Sequence, residues 1–512
     1  REYCPSGSGD RWRAPNMGGG TPGGGGPGGG SSALSYLGNT NISTYTNKYE
    51  LKSPYHTNAW PRLINAIYVF NTTPLDKLRD RAEDVFAVDR WLWFLALENI
   101  FADDDSYWNK GADYMFYYEP ESGRIHPVEH DGNEAFVQGD ASLSPLQGLG
   151  NTNRPVINRL LSIPELRQRY LAHMRTVIEE YFNPPTMTAM IDRFVALSLT
   201  AIAADPKKGY TSMATYSNDL NSLKTFITNR YKFLTNHAEL KLVPPRITSV
   251  DFPASFPVGQ IPYVTARVVP NGTDGIDSVW LYHRGKSYGK FTCVRMFDDG
   301  VHGDGDAGDG VFGAQTGDYP AGTKVRFYIE ARSGNSSKTS SFSPPRAEHE
   351  TWSYRVALVT APSTPVVINE IMADNLTAVA DPQGEFDDWI ELHNLTDQEV
   401  SIGGWYLSDD PNNPRKWRFP TGTKIAPDGY LVVWADEDGN DTPGLHANFR
   451  LQKCGEEVFL IDTDARQNAV LDHVVFGLQQ TDVSYGRSPA NPDEWVFMDP
   501  TPGQPNIDRS EP

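Results

Sequence analysis

From about residue 36 to 245 the apolar positions recur at helical spacing. In VDRWLWFLALENIF, Val88, Trp91, Leu92, Leu95 and Ile100 share one side of a helix, and Asp89 stands near its start, where the helix dipole favours an acid. RPVINRLLSIPELRQRYLAHMRTVIEEYF predicts a second helical block, with Pro164 in a first turn. SNDLNSLKTFITNRYKFL predicts a third, with Ser217 as N-cap. One aromatic run, YMFYYEPES, breaks this period and reads as one arm of a β-hairpin. The segment after it, GRIHPVEHDGNEAF, ends in an Asp131-Gly132-Asn133 step. That step is either a tight turn or a metal-holding strand end.

At Pro244 the period changes to two. ITSVDF, YVTARVV, SVWLYHR, KVRFYIEARS and TWSYRVAL alternate as half-buried strands, separated by Gly, Pro and Asn. They predict an antiparallel β-sandwich of immunoglobulin or fibronectin type over 246–358. ALVTAPSTP reads as a linker, and a second β-rich block runs over 365–489 with DWIELHN, GWYLSD, YLVVWAD and EVFLID as strands. Residues 490–512, rich in Pro and Asp, read as an irregular tail. The fold class expected is multidomain α+β: a mainly helical segment with one hairpin, followed by two all-β sandwiches.

At 512 residues the chain is too long for one core. Its net charge of −20 argues against a nucleic-acid groove or an anionic membrane surface, both of which want clustered Lys and Arg. It suits a secreted protein, a calcium binder, or an enzyme that takes an anionic substrate as its metal complex. No apolar run near ~20 residues is evident, so no membrane span is expected. Cys4, Cys293 and Cys454 form no spaced pair, and no bridge is expected. Residues 1–35 include GGGTPGGGGPGGGSS and read as a flexible segment; a phosphate cradle is the other reading, although the GxxxxGK[ST] spacing is lacking. The first residues, Arg-Glu-Tyr, leave room for an upstream signal peptide or more.

The candidate chemistry lies in ENIFADDDSYWNKGADYMFYY. Asp103, Asp104 and Asp105 end a helix where acids are locally unfavourable. A solvated acidic loop explains them, and so does a functional site. Asp113 opens the aromatic strand, and Asp131 and Asn133 follow its partner. A hairpin brings its outer ends together, so these oxygens are expected in one corner. Such a set suits Mg²⁺ or Mn²⁺ and the needs of phosphoryl transfer.

The run from TYTNKYELKSPYHTNAWPRLINAIYVFNTTP to LSIPELRQRYLAHM resembles the spore-coat protein H (CotH) type of atypical secreted protein kinase. The resemblance covers about 200 residues, 36–245 being the kinase-like portion, and implies ATP with Mg²⁺ or Mn²⁺ as cofactor. By its motifs Asp105 falls at the catalytic Asp, Asp113 at a metal-binding Asn, and Asp131 at the first Asp of a Trp-Asp-x-Asp motif. His130 replaces the usual Trp and Asn133 the second Asp, so Asn133 is a metal-site helper. GDRWRAP is similar to the family's middle segment, which implies that the family's strand-rich N-terminal lobe, with its ATP-contacting Lys, would precede residue 1.

Two further stretches stand out. MFDDGVHGDGDAGDGVFGA sets Asp298, Asp299, Asp304, Asp306 and Asp309 among glycines, which predicts either a calcium loop or a long solvated turn. Without a cation these five acids are expected to hold the loop open. The block opening with VVINEI, with its Trp-Ile-Glu-Leu-His-Asn and Gly-Trp-Tyr-Leu-Ser-Asp strands, resembles the lamin-tail domain, which implies an immunoglobulin-like sandwich and a surface or adhesive role. There Asn369, Glu370, Asp387, Asp388 and Glu391 either hold a cation or are ordinary hydrogen-bonded residues, and His393 and His446 read as ordinary. The function expected is a secreted bacterial kinase, extracellular or at the cell surface. It would act on a protein hydroxyl and carry β modules for a surface or matrix partner. The alternative is a non-catalytic adhesion protein with a truncated kinase-like segment.

Overall fold

The computed structural model describes residues 9–15, 32–207, 209, 211–257, 259–357, 359–361, 363–411, 413–439 and 443–507. Cys4 and the glycine run lie outside them. The chain divides into two compact units: Arg1–Phe252 with Pro262–Gly317 and Arg326–Ser353, and Pro253–Ile261 with Asp318–Val325 and Tyr354–Pro512.

The first unit holds the helices, a small four-stranded sheet and most of the β-sandwich strands. Its helices are α1 (Ile42–Thr46), α2 (Ala59–Thr72), α3 (Leu75–Ala82), α4 (Val88–Phe101), α5 (Pro155–Leu161), α6 (Pro164–Glu180), α7 (Pro184–Ala204) and α8 (Met213–Asn236). α4 occupies the helical span that the periodicity predicts, and Val88, Trp91, Leu92, Leu95 and Ile100 are all buried. Pro164 opens α6. The Ser217 expectation is corrected: Ser212 caps α8 by accepting from Thr215 N at 3.1 Å, and Ser217 lies inside the helix, donating to Met213 O. The pattern from Ser217 onward is regular, but the helix begins four residues earlier, where a hydroxyl meets the free N–H groups.

Four strands, β1 (Asp10–Ala14), β2 (Glu50–Ser53), β3 (Tyr114–Glu119) and β4 (Arg124–Val128), form a sheet in the order β2-β1-β3-β4. β3 and β4 make the expected hairpin, turning after Glu119, with Met115 opposite Val128. β1 corrects the flexible reading of 1–35 for its described residues. It pairs with β3 from Asp10–Tyr118 to Ala14–Tyr114. Trp12 is wholly buried and stacks on Phe116 at 5.5 Å. Alternation of Trp12 and Ala14 with exposed Arg11 is a strand signal that glycine-rich neighbours mask.

The β-sandwich strands belong largely to this same unit. Arg246–Asp251, Tyr263–Val269 and Val311–Gln315 form one sheet. Lys324–Ser333, which lies in this unit from Arg326 onward, pairs with Ile276–Arg284 and Ser340–Ser343. Tyr328 is fully buried in a cluster with Ala172 of α6, Tyr282, Phe342 and Ala347. Its hydroxyl accepts from Arg169 at 2.7 Å, and Arg169 pairs with Asp89 at 3.1 Å. An outward tyrosine on a strand thus meets a helix instead of water.

Helix α7 is long and apolar. It has 21 residues, with an 18-residue stretch of mean hydropathy 1.5, enough by length and composition alone to cross a membrane, and little of that stretch is buried. One such helix does not contradict the expectation of no membrane span. Asp192 and Arg193 interrupt the run in the sequence.

The second unit holds the lamin-tail-like strands. Val366–Met372 pairs with Asp388–Asn394, which pairs with Tyr430–Ala435. Ile390 and Leu392 face the main core, and Trp389 faces a separate cluster with Met372 and Trp434. The linker reading is corrected at Thr360, which bridges to Val470. The irregular-tail reading is also corrected, since Trp495–Met498 is a strand on Ser484–Arg487. Beyond it the tail clasps a buried acid pair. Thr501 donates to Glu370 through N at 3.1 Å and Oγ1 at 2.8 Å, and Gly503 N donates to Glu391 at 2.5 Å. Asn369 donates to Asn506 Oδ1 at 2.6 Å and to Glu391 at 2.8 Å.

Candidate functional site

α4 ends in a left-handed residue, Ala102 (φ 50°), which turns the chain into the acidic loop. Asp103 N returns to Glu98 O at 3.1 Å, and Asp103 Oδ1 accepts from Asp105 N at 3.2 Å. Ser106 Oγ closes the turn on Asp103 O at 2.7 Å. These bonds satisfy the free carbonyls and N–H groups that a helix end leaves, and they fix where Asp105 stands.

Asp105 and Asp113 come together. Asp105 is close enough for its charge to act on the Asp113 carboxyl, and each has a cation: Lys110 for Asp105, and Arg13 Nη2 at 3.5 Å for Asp113. Asp113 is buried, in the left-handed region at φ 52°, and its N–H donates to Ala14 O at 2.7 Å. Burial, then the charge of Asp105, raises the Asp113 carboxyl above its ordinary value, with Arg13 and Lys110 opposing. Burial pulls Lys110 down, but Asp105, Asp104 and Asp113 carry it above the usual lysine value.

Asp131 and Asn133 lie on a different turn. The strand ends at Val128, and Asp131 (φ 63°) starts a 3₁₀ turn over Gly132–Glu134 in which both residues are exposed. This turn docks on the acidic loop and the end of α4: Glu134 O accepts from Asp104 N at 3.2 Å, and Phe101 O from Phe136 N at 2.8 Å. Asp105 and Asp113 thus lie near one another, while Asp131 and Asn133 stand on the exposed turn that follows the strand. Among the described residues no three His, Cys, Asp or Glu side chains stand as a metal-holding group. Four non-glycine residues with positive φ, Ala102, Asp113, Asp131 and Phe136, flank these turns, and such conformations persist where surrounding structure imposes them.

Four charged residues here escaped the sequence reading. Arg13 sat in the segment read as flexible, and Lys110 was an ordinary loop lysine. Glu98 and Glu129 join Asp103 along a cavity behind the loop. Burial and mutual repulsion push Asp103 up to about 6. Partial burial of its carboxyl, then the charge of Asp103, pushes Glu129 up to about 7.

The 298–310 loop closes without the repulsion expected of it. Asp304 accepts from the N–H groups of Asp299, Gly300 and His302 at 2.6–2.8 Å. Asp298 accepts from Gly308 and Gly310 at 2.7 and 3.0 Å. The Gly300 N–H leads the causes that hold Asp304 below the usual carboxylate range. Positive-φ glycines at 300, 303, 305, 308 and 310 bend the backbone so that its N–H groups converge on the acids. In the second unit, Asn369, Glu370 and Glu391 are likewise spent on hydrogen bonds.

Comparison with known proteins finds two families in the chain. The model described as CotH kinase protein matches residues 32–234, and the Lamin Tail Domain model matches 360–477. The chain thus carries a CotH kinase domain, followed by β strands and a lamin tail domain. No curated protein matches it. One matching solved structure is a DUF4876 family protein from Bacteroides thetaiotaomicron VPI-5482. It is 9% identical, covers 44% of this chain and 90% of its own, and has a TM-score of 0.17, which carries no argument.

Proposed function

We propose that the CotH-type region transfers the γ-phosphoryl group of a magnesium- or manganese-bound ATP to a protein hydroxyl outside the cell, while the β modules hold the enzyme at a surface or matrix. The observation that carries this is the proximity of Asp105 to Asp113 just before the β3–β4 hairpin, beside Lys110 and Arg13. Asp105 orients the hydroxyl and takes its proton. Lys110 and Arg13 present positive charge to the oxygens on which negative charge gathers. Asp113, a buried carboxylate beside Asp105, would hold the metal of the metal–nucleotide substrate, which would neutralise phosphate charge there. Asp131 and Asn133 stay in this reading as exposed groups on the neighbouring turn.

A second reading is supported by the same ion pairs. Because Lys110 and Arg13 neutralise Asp105 and Asp113, the corner is also stable as a structural element in a non-catalytic adhesion protein. Radiolabelled phosphate transfer from ATP to a mixture of secreted proteins separates the two. Asp105→Asn should lower labelling by about 10²-fold or more, and Asp131→Ala should lower it less. Equal labelling by wild type and Asp105→Asn removes Asp105 from any mechanism and leaves the adhesive reading.

A further inference from the structure

Helix α7 is apolar on two sides, and the fold covers one of them. It packs on α8, with Ile191, Val195, Ser198 and Ile202 half-buried along one face and Ile191 set against the main core. Asp192 fixes that contact through Lys224 of α8 at 2.5 Å. On the other side Met190, Phe194 and Leu197 are 45%, 61% and 75% exposed, and the exposed Ala201 and Ala204 continue the same row. Steps of four, three, four and three residues along 190, 194, 197, 201 and 204 are those of a coiled-coil seam. At roughly 180 Å² for a whole large apolar residue, the three exposures leave about 300 Å² of contiguous apolar surface, a patch of the size that marks an interaction site.

We infer that α7 docks on α7 of a second copy of this chain, antiparallel, about a two-fold axis that passes between Phe194 and Leu197. The seam is graded, large at its start and small at its end, and that gradient is self-complementary only when the second copy runs the other way. Met190 then stands opposite Ala201, and Phe194 opposite Leu197, so large meets small and the contact fills evenly. A parallel pair would crowd Phe194 on Phe194 and leave a gap between facing Ala201 residues. Antiparallel helices also set each positive end beside a negative one. Among the described residues α7 is the one helix of this length and apolarity, so a second copy supplies the matching seam. A lipid surface is the poorer occupant. A helix lying on a membrane carries a polar face rich in Lys and Arg, whereas α7 has Arg193 as its one base and commits its other side to α8. Two such patches fall below the area of a stable dimer, about 1,200 Å² in total, which places the pair in the weak, concentration-dependent class. The inference is read by association alone, whatever the outcome of the phosphate-transfer assay.

Analytical ultracentrifugation of the full chain tests it, in about 0.5 M NaCl so that the mutual repulsion of two chains of charge −20 is screened. Wild type should pass from monomer to dimer with a Kd of about 10–100 µM. Leu197→Glu, at a position 75% exposed and so without cost to the fold, should stay monomeric throughout. Orientation is read in a background of Cys4→Ser, Cys293→Ser and Cys454→Ser. There Met190→Cys with Ala201→Cys should give a disulfide-linked dimer on mild oxidation, and Met190→Cys alone should not. Co-sedimentation with phosphatidylcholine vesicles covers the other occupant, and none is expected. A monomer up to about 300 µM, a dimer that Leu197→Glu leaves intact, equal cross-linking by Met190→Cys alone, or vesicle binding that Leu197→Glu removes, each overturns the inference.

Discussion

Arg230 offers the sharpest test of how the candidate site is held. It projects from α8, is fully buried, and spends its guanidinium on the end of α4. Nη2 donates to Asn99 O at 2.8 Å and Asn99 Oδ1 at 2.9 Å, Nε donates to Ile100 O at 3.3 Å, and Nη1 donates to Leu143 O. The carbonyls of Asn99 and Ile100 belong to the last turn of α4, where helical partners run out and the dipole is negative, so a cation is doubly favoured there. Asp103 and Asp105 begin a few residues later. Burial pulls Arg230 down only to about 10, so it stays charged at neutral pH. Arg230→Met fills similar volume but leaves the carbonyls of Ile100 and Leu143 and the Asn99 amide oxygen without their donors, while the Asn99 carbonyl keeps Ala102 N. Each orphaned acceptor costs about 1–3 kcal/mol, partly offset because a charge need no longer be desolvated. We expect a loss of about 3–4 kcal/mol, read by urea unfolding of wild type and variant. In thermal melts this corresponds to roughly 6 °C or more, at about 2 °C per kcal/mol for a large unit. Arg230→Lys should recover only part of it, because a single ammonium cannot span the fork. A loss below about 1 kcal/mol would refute the claim that this guanidinium anchors the loop.

Three further outcomes follow from the geometry. Burial raises Glu391 to about 7, so its protonated form is favoured in the folded state. That stabilisation is complete below about 4.5 and is lost as pH rises through 7. The second unit should melt lower at pH 7.5 than at pH 5, and Glu391→Gln should flatten the difference in a calorimetric pH series; an unchanged pH slope counts against it. Ser212→Ala should cost about 1 kcal/mol in urea unfolding, through loss of the α8 cap, and Ser217→Ala almost nothing. The reverse order would favour a helix start at Ser217. Because Asp298 and Asp304 are occupied by backbone N–H groups, melts in calcium and in chelator should agree within about 1 °C, and a rise of several degrees in calcium would show that the 298–310 loop takes the ion.

Periodicity alone determined much of this protein. α4 with its buried Val88, Trp91, Leu92, Leu95 and Ile100, the β3–β4 hairpin, and strands such as Tyr263–Val269 and Asp388–Asn394 were legible because each buries a stripe or a face, and burial imposes a period on the sequence. The two family resemblances were legible for the same reason, together with short acid and aromatic motifs at fixed spacing. Only tertiary structure decided the rest. Asp105 and Asp113 lie near one another across eight residues of loop, while the strand stops at Val128 and Asp131 stands in the left-handed region at the start of an exposed turn. Arg13 reached the site because β1 pairs with β3 across about a hundred residues of chain, a distance no local pattern encodes. The acids of the 298–310 loop and of Glu370 and Glu391 found their partners in backbone N–H groups, which every residue but proline carries and which no sequence motif marks.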